Sequence, residues 1–172
     1  KLTLKPFSDE IKLSATFLIN QEETGLECTW EITGDTSTLS LPVYDSKGRR
    51  LYLWLDTCFE FFLKFEGNPD YYEFNFAPDS CFNIFHFDSY RAPIIETTDF
   101  TVSGLSMDLS DDQLQFHARI TPAIKLPAMR ANFLPSMVVK KKNGEISFWA
   151  SDHSENKPDF HDAVTFKNEL IF

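Results

Sequence analysis

Apolar and polar residues alternate with period two along most of this chain, which is the pattern of half-buried β-strands. The clearest stretch is residues 51–91, LYLWLDTCFEFFLKFEGNPDYYEFNFAPDSCFNIFHFDSYR, where three alternating runs are separated by two turn signals. Apolar residues fall at Phe59, Phe61, Leu63 and Phe65, then at Tyr72, Phe74 and Phe76. Pairing 65 with 70 leaves the loop Glu66-Gly67-Asn68-Pro69, a common hairpin length. That register sets Phe61 opposite Phe74 and Glu60 opposite Asn75. The turn Pro78-Asp79-Ser80 then sets Phe76 opposite Phe82, Phe74 opposite Ile84 and Asn75 opposite Asn83. A slip of one residue would move the aromatic set off the core face, so this meander is favoured. Its other face carries Glu60, Glu73, Asn75 and Asn83 among aromatic rings. Carboxylate, amide and aromatic groups together suit a polar, ring-shaped ligand such as a sugar.

The same alternation recurs elsewhere. Residues 11–19 put Ile11, Leu13, Ala15, Phe17 and Ile19 on one face, and residues 26–33 do so with Leu26, Cys28, Trp30 and Ile32. Residues 34–40 and 42–50 read as loops, and residues 101–105 as another strand. A turn at residues 108–112 precedes the alternating Leu114, Phe116, Ala118 and Ile120. Residues 133–140 and 145–150 form a hairpin around Asn143-Gly144, a strong turn dipeptide. Residues 121–130, with two Pro, are the one place for a short helix or loop, and residues 163–172 close the chain. The expectation is an all-β fold of about nine to eleven strands: an antiparallel β-sandwich, with a closed barrel as the runner-up.

Composition narrows the function classes. At 172 residues the chain fits one domain, 1–172, long enough to bury a core. It contains 18 Phe against 6 Gly, and most of those rings belong inside. A formal charge of −10 repels phosphate backbones and anionic membranes, so neither nucleic acid nor a membrane is an expected partner. The basic run Lys140-Lys141-Lys142 is more simply a solvated strand end. Cys28, Cys58 and Cys81 form no CxxC pair, which speaks against zinc and against a disulfide scaffold. Free buried thiols, together with no visible signal peptide, favour the cytoplasm. The chain starts at Lys1 rather than Met, so a leader removed or never included stays open. No apolar run reaches the roughly 18 residues of a membrane helix.

Several strings carry a family resemblance. Trp54-Leu55-Asp56-Thr57-Cys58-Phe59-Glu60-Phe61-Phe62 is similar to the W-x-x-T-C-F-E-x-F signature of DOMON-like proteins, which are related to the family 9 carbohydrate-binding modules. Tyr72-Glu73-Phe74-Asn75-Phe76-Ala77-Pro78 resembles their Y-x-E-F-N-F-S-P string, with some differences of spacing. Phe87-Asp88-Ser89-Tyr90-Arg91 resembles F-D-x-Y-R, and the stretch from Trp149 to His161 resembles W-A-x-x-H…K-P-D-F-H. These ordered matches span about two-thirds of the chain. The resemblance implies an immunoglobulin-like or jelly-roll sandwich. The bacterial DOMON-like proteins are little characterised as a group, whereas the family 9 modules hold a sugar between two Trp rings. Carried over, Trp54 and Trp149 become aromatic platforms, with Glu60 and Arg91 as polar contacts and Asn132 as a weaker candidate; Asn75, from the polar row of the meander, joins them as a polar contact. Those modules are usually appended to secreted enzymes, while this chain is expected to stand alone with free cysteines, a departure that bears on whether sugar binding is kept.

Competing readings follow from the same residues. Trp54 and Trp149 could be core or sheet-edge rings, and Trp30 reads as core. Glu60 could pair with Arg91 or Arg119 and serve the sheet alone. Glu60 and Glu73 lie on one face of adjacent strands, at a spacing a glycosidase acid pair could use, but nothing else points to catalysis. His153 and His161, among Asp152, Asp159 and Asp162, match no zinc spacing and read as loop-holding residues. The resemblance leaves calcium open, though no EF-hand loop is present. Haem-binding DOMON relatives use Met and His ligands, but Met107, Met129 and Met137 show no pairing with His86 or His117. The expectation is therefore a non-catalytic protein that binds a small carbohydrate, needs no cofactor and has no metal ligands. The alternative is a protein-interaction module whose aromatic face packs on a partner.

Overall fold

The computed structural model describes residues 1–8 and 12–172. Ile11, expected at the start of a strand, lies outside the described residues. Thirteen strands follow in order: β1 (Leu2–Pro6), β2 (Leu13–Glu22), β3 (Gly25–Gly34), β4 (Gly48–Arg49), β5 (Cys58–Phe65), β6 (Tyr71–Phe76) and β7 (Cys81–Phe87), then β8 (Ile95–Glu96), β9 (Phe100–Leu109), β10 (Gln113–Pro122), β11 (Arg130–Lys140), β12 (Ile146–Ala150) and β13 (Asn168–Ile171). Short 3-10 turns occur at Thr36–Thr38, Leu53–Leu55 and Ala163–Thr165. Among the described residues no helix is long and apolar enough to cross a membrane.

The strands form one curled sheet in the order β4-β7-β6-β5-β11-β12-β1-β2-β3-β10-β9, with β13 beside β11 and β8 beside β7. This corrects the expectation of about nine to eleven purely antiparallel strands. Among the described residues there are thirteen, and β4 runs parallel to β7. The residues of β4 sit in a Pro-, Ser- and Gly-containing stretch that reads as loop, because two residues are too few to show a period. The 121–130 segment connects β10 to β11 without a helix. Residues 108 and 109 still belong to β9, so the expected turn is shorter than its Asp run suggested.

The meander has the register that its alternation dictates: Phe61 faces Phe74, Glu60 faces Asn75, Asn75 faces Asn83 and Phe76 faces Phe82. The β11–β12 hairpin turns at Gly144, whose φ of 89° is the left-handed conformation that glycine adopts without strain. Strand β1 links the two halves of the sheet, pairing with β2 through Leu2–Leu4 and with β12 through Lys5 and Pro6.

The two halves curl toward each other around an aromatic core. Phe59 stacks on Phe116 at 4.5 Å, and Trp30 packs against Phe59 at 5.9 Å and Phe76 at 5.7 Å. The Trp30 Nε1–H donates to the Ser136 carbonyl at 3.1 Å, so this large core ring has its one polar atom satisfied. Strands β5–β7 are buried on both faces rather than half-buried. Their second face supports a smaller apolar cluster that includes Leu53, Phe62, Phe85, Phe160 and Phe166. The segments covering it come from residues 53–55 and 150–166, far apart in sequence. The candidate site opens on this second face.

Candidate functional site

Odd–even parity decides which side chains reach the site. On β5 the set Cys58, Glu60 and Phe62 faces it, while Phe59, Phe61 and Leu63 point into the main core. On β6 Tyr71, Glu73 and Asn75 share the site face, and on β7 Asn83, Phe85 and Phe87 do. A cavity of about 340 Å³ lies over these strands. Its apolar wall comes from Trp54, Phe62, Phe85, Phe87, Phe148 and Phe160, and its polar groups are Glu60, Glu73, Arg91 and His161. That size and mixture lie within the range of small-molecule sites.

The five residues singled out from sequence meet different fates. Trp54 follows from a tight 3-10 turn at Leu53–Leu55, is partly exposed, and packs edge-on against Phe85 at 5.9 Å. Glu60 and Arg91 also line the cavity. Asn75 is wholly buried and lies beneath the wall, where its Nδ2 donates to Glu73 Oε1 at 2.8 Å. It bonds a cavity carboxyl and does not itself line the cavity. Trp149 corrects the platform expectation: it is 1% exposed, belongs to the main core, and its Nε1–H donates to Ser147 Oγ at 2.9 Å. The reason is parity on β12, where Trp149 turns inward and its neighbour Phe148 turns to the cavity. Asn132 sits opposite Lys64 and does not line the cavity.

Glu73 and His161 belong to the site with Glu60. Glu73 follows from the same parity that gives Glu60. His161 is harder to foresee, because it reaches the cavity from a loop near the chain end. Its Nδ1 is 2.8 Å from Tyr71 Oη, and its Nε2 lies 3.7 Å from Glu73 Oε2. His153 instead bonds the Lys5 carbonyl at 2.7 Å and ties the loop to β1. Among the described residues no group of three His, Cys, Asp or Glu side chains could hold a metal ion.

Arg91 has a left-handed backbone, φ 56°, uncommon for a non-glycine residue. Asp159 holds it there, accepting from Arg91 Nη2 at 2.8 Å, from Tyr90 Oη at 2.5 Å and from the His161 amide at 3.2 Å. Burial alone would raise the Asp159 carboxyl. The bonds from Tyr90 and Arg91 outweigh burial and hold it below its ordinary value. Neither expected partner pairs with Glu60, since Arg91 is on Asp159 and Arg119 on Glu27.

The two site carboxyls are nearly buried, Glu60 at 3% exposure and Glu73 at 5%. Burial, and then the nearby Glu73 charge, push Glu60 well above the ordinary carboxyl range. Burial raises Glu73 to about 7 against the pull of Asn75 and Arg91. Burial, followed by the Arg91 charge, lowers His161 to about 4, so its imidazole is neutral at pH 7. Burial likewise raises the Cys58 thiol well above its usual value, so a thiolate nucleophile is disfavoured there. At neutral pH the cavity therefore offers two carboxyls that burial raises, Glu73 among them near its midpoint, with a neutral imidazole and a guanidinium. These groups can donate to and accept from hydroxyls beside a wall of rings.

Comparison with known proteins supports the fold. A putative carbohydrate-binding protein from Bacteroides uniformis superposes with a TM-score of 0.65 at 13% identity, covering 99% of this chain and 86% of that one. A family 9 carbohydrate-binding module from Caldicellulosiruptor kristjanssonii, in complex with cellotriose, gives 0.61 at 12% identity, over 90% of this chain and 73% of that one. A family 9 module from the same organism in complex with glucose gives 0.57 at 12% identity, over 95% and 78%. At such identities the likeness is one of fold. No protein-family model matches the chain, and no curated protein matches it. The DOMON-like part of the resemblance thus has no support, whereas the part that points to carbohydrate-binding modules agrees with the structural neighbours.

Proposed function

We propose that this chain is a non-catalytic, sandwich-type carbohydrate-binding protein that takes a small sugar into the cavity between Trp54 and His161. The observation that carries the reading is the cavity's composition: six aromatic rings beside Glu60, Glu73, Arg91 and His161 in about 340 Å³. A pyranose presents C–H patches that pack on rings and hydroxyls that need both donors and acceptors. Trp54, at the mouth, serves as the platform. Glu60 and Arg91 bond hydroxyls, and Asn75 acts by holding Glu73. The neighbours named for carbohydrate binding make the reading more economical.

The test is a thermal-shift and calorimetric screen of mono- and disaccharides, with and without calcium. A ligand at 100 times its dissociation constant stabilises the fold by about 2.7 kcal/mol. A raised melting temperature with one sugar class, lost in Trp54→Ala, is the expected result. No shift with any sugar at millimolar concentration moves the assignment to a protein-interaction module. Turnover of an aryl glycoside, abolished in Glu60→Gln, overturns the non-catalytic part.

A further inference from the structure

The cavity contains two buried carboxyl groups with few partners. Among the described residues the one hydrogen bond to Glu60 comes from Ser136 Oγ, at a long 3.4 Å. Glu73 Oε1 takes the Asn75 amide, while its Oε2 sees only His161 Nε2, at 3.7 Å and beyond hydrogen-bond reach. Among the described residues no lysine or arginine pairs with either carboxyl. Arg91, the one cation lining the cavity among the described residues, has its charge met by the nearly buried Asp159, which Lys157 also approaches at 3.5 Å. Leaving two carboxylates ionised and unpaired in such a place is costly. They either stay protonated or await a cation.

The remaining wall suits a cation. An ammonium group is attracted to aromatic faces, most strongly to Trp, and forms short charge-assisted bonds to carboxylates. Trp54, Phe62, Phe85 and Phe87 line the same cavity as Glu60 and Glu73. Resting on the carbohydrate reading above, we propose that the ligand is an amino sugar, a pyranose bearing a free ammonium group seated between Glu60 and Glu73. The other titratable groups around the pair are Cys58, Tyr71, His161, Arg91 and Asp159. Cys58 and Tyr71 stay protonated and neutral, because burial raises both. His161 stays neutral, because burial lowers it. The incoming ammonium therefore meets no free cation except Arg91, which Asp159 offsets. The net charge of −10 favours a cationic ligand over the whole surface as well. Acetylating the nitrogen removes the charge and leaves the carboxyls without a partner. The site thus separates amino sugars from both their neutral parents and their N-acetyl forms.

The test is isothermal titration at pH 7 with D-glucosamine, D-galactosamine and D-mannosamine, each beside its neutral parent and its N-acetyl form. At least one amino sugar is expected to bind about tenfold or more tightly than its parent and its N-acetyl form, a difference that one charge-assisted contact can supply. In Glu60→Gln and Glu73→Gln the ratio of amino-sugar to parent affinity should fall toward one. If parents and amino sugars bind equally to the wild type, the ammonium assignment is wrong and the carbohydrate reading stands. If no sugar in the panel binds, that reading fails and takes this one with it. A preference that survives both Gln variants places the ammonium elsewhere and overturns the proposal. The wild type alone gives a second check, by titration in two buffers of different ionisation enthalpy. The amino sugar should release protons on binding, and equal proton exchange for amino and neutral sugar would contradict the assignment.

Discussion

The two faces of β5–β7 use the same backbone for opposite ends. One face packs Phe59, Phe61, Phe74 and Phe76 against Trp30, Phe17 and Phe116, with rings in contact on every side. The other places Glu60, Glu73, Asn75 and Asn83 under cover, in positions where a hydrophobic residue would stabilise the fold more. The side chains of both faces are largely buried, so burial alone does not separate core from site. The difference is that the first face satisfies its contacts internally, while the second leaves carboxyl oxygens without partners beside an open volume. A buried polar row that the fold does not need is a stronger mark of a site than an exposed one.

Tryptophan substitution breaks this comparison most sharply. Trp149 belongs to the core face, so Trp149→Ala should lower unfolding free energy by about 3–5 kcal/mol, measured by denaturant titration. A loss under 1 kcal/mol would return Trp149 to the platform role that the family resemblance implied.

Next in size is the pH dependence of the site face. The unfolded Glu73 carboxyl ionises near 4.5 and the folded one near 7, so between those values the folded state holds a proton the unfolded chain has released. Stability therefore falls as pH rises through that window, and the raised Glu60 adds in the same direction. His161 works oppositely. Its folded value near 4 lies below 6.5, so stability falls as pH drops from 6.5 toward 4. In the wild type the two slopes oppose each other where the windows overlap. Glu73→Gln removes one of the two carboxyl slopes and leaves Glu60 opposed to His161, so the variant's stability should fall less with rising pH across that overlap than the wild type's. Relative to wild type it should gain on the order of 3 kcal/mol from pH 4.5 to 7. Parallel stability–pH curves for the two proteins would show that Glu73 is not buried in the way described.

Much of this comparison could be read from the sequence, and for a physical reason. Period-two alternation plus two short turns leaves one register for 59–87, and β5–β7 adopt it. The strands β1, β4 and β8 could not be read that way, since β4 and β8 have two residues each and β1 bridges two neighbours. The cover over the site face was also hidden, because Leu53 and Phe160 arrive from segments over a hundred positions apart. Of the residues lining the candidate cavity, Trp54, Glu60 and Arg91 stand out from local strings. Trp149 misled because a string resemblance does not fix strand parity, and a shift of one residue makes Phe148 the wall. His161 could be noticed but not placed, since only the folded loop brings it to Glu73.

Smaller effects sharpen the site side. Asp159→Asn should cost about 1 kcal/mol, discounted because Arg91 is half exposed. It should weaken sugar binding more than it weakens the fold, since Arg91 loses the carboxylate that holds it at the cavity. A calorimetric affinity equal to wild type would remove Arg91 from the site. Trp54→Ala should be mildest for the fold, at about 1 kcal/mol or less for a partly exposed ring, yet should abolish binding.

The most direct measurement is acrylamide quenching of tryptophan fluorescence with and without a bound sugar. Trp30 and Trp149 are buried, and Trp54 is the one partly exposed indole. The account predicts that quenching of the free protein comes from Trp54, that a saturating sugar protects it, and that Trp54→Phe removes the protected component. A sugar that binds by calorimetry while leaving quenching unchanged would contradict the claim that this cavity, with Trp54 at its mouth, is where the ligand sits.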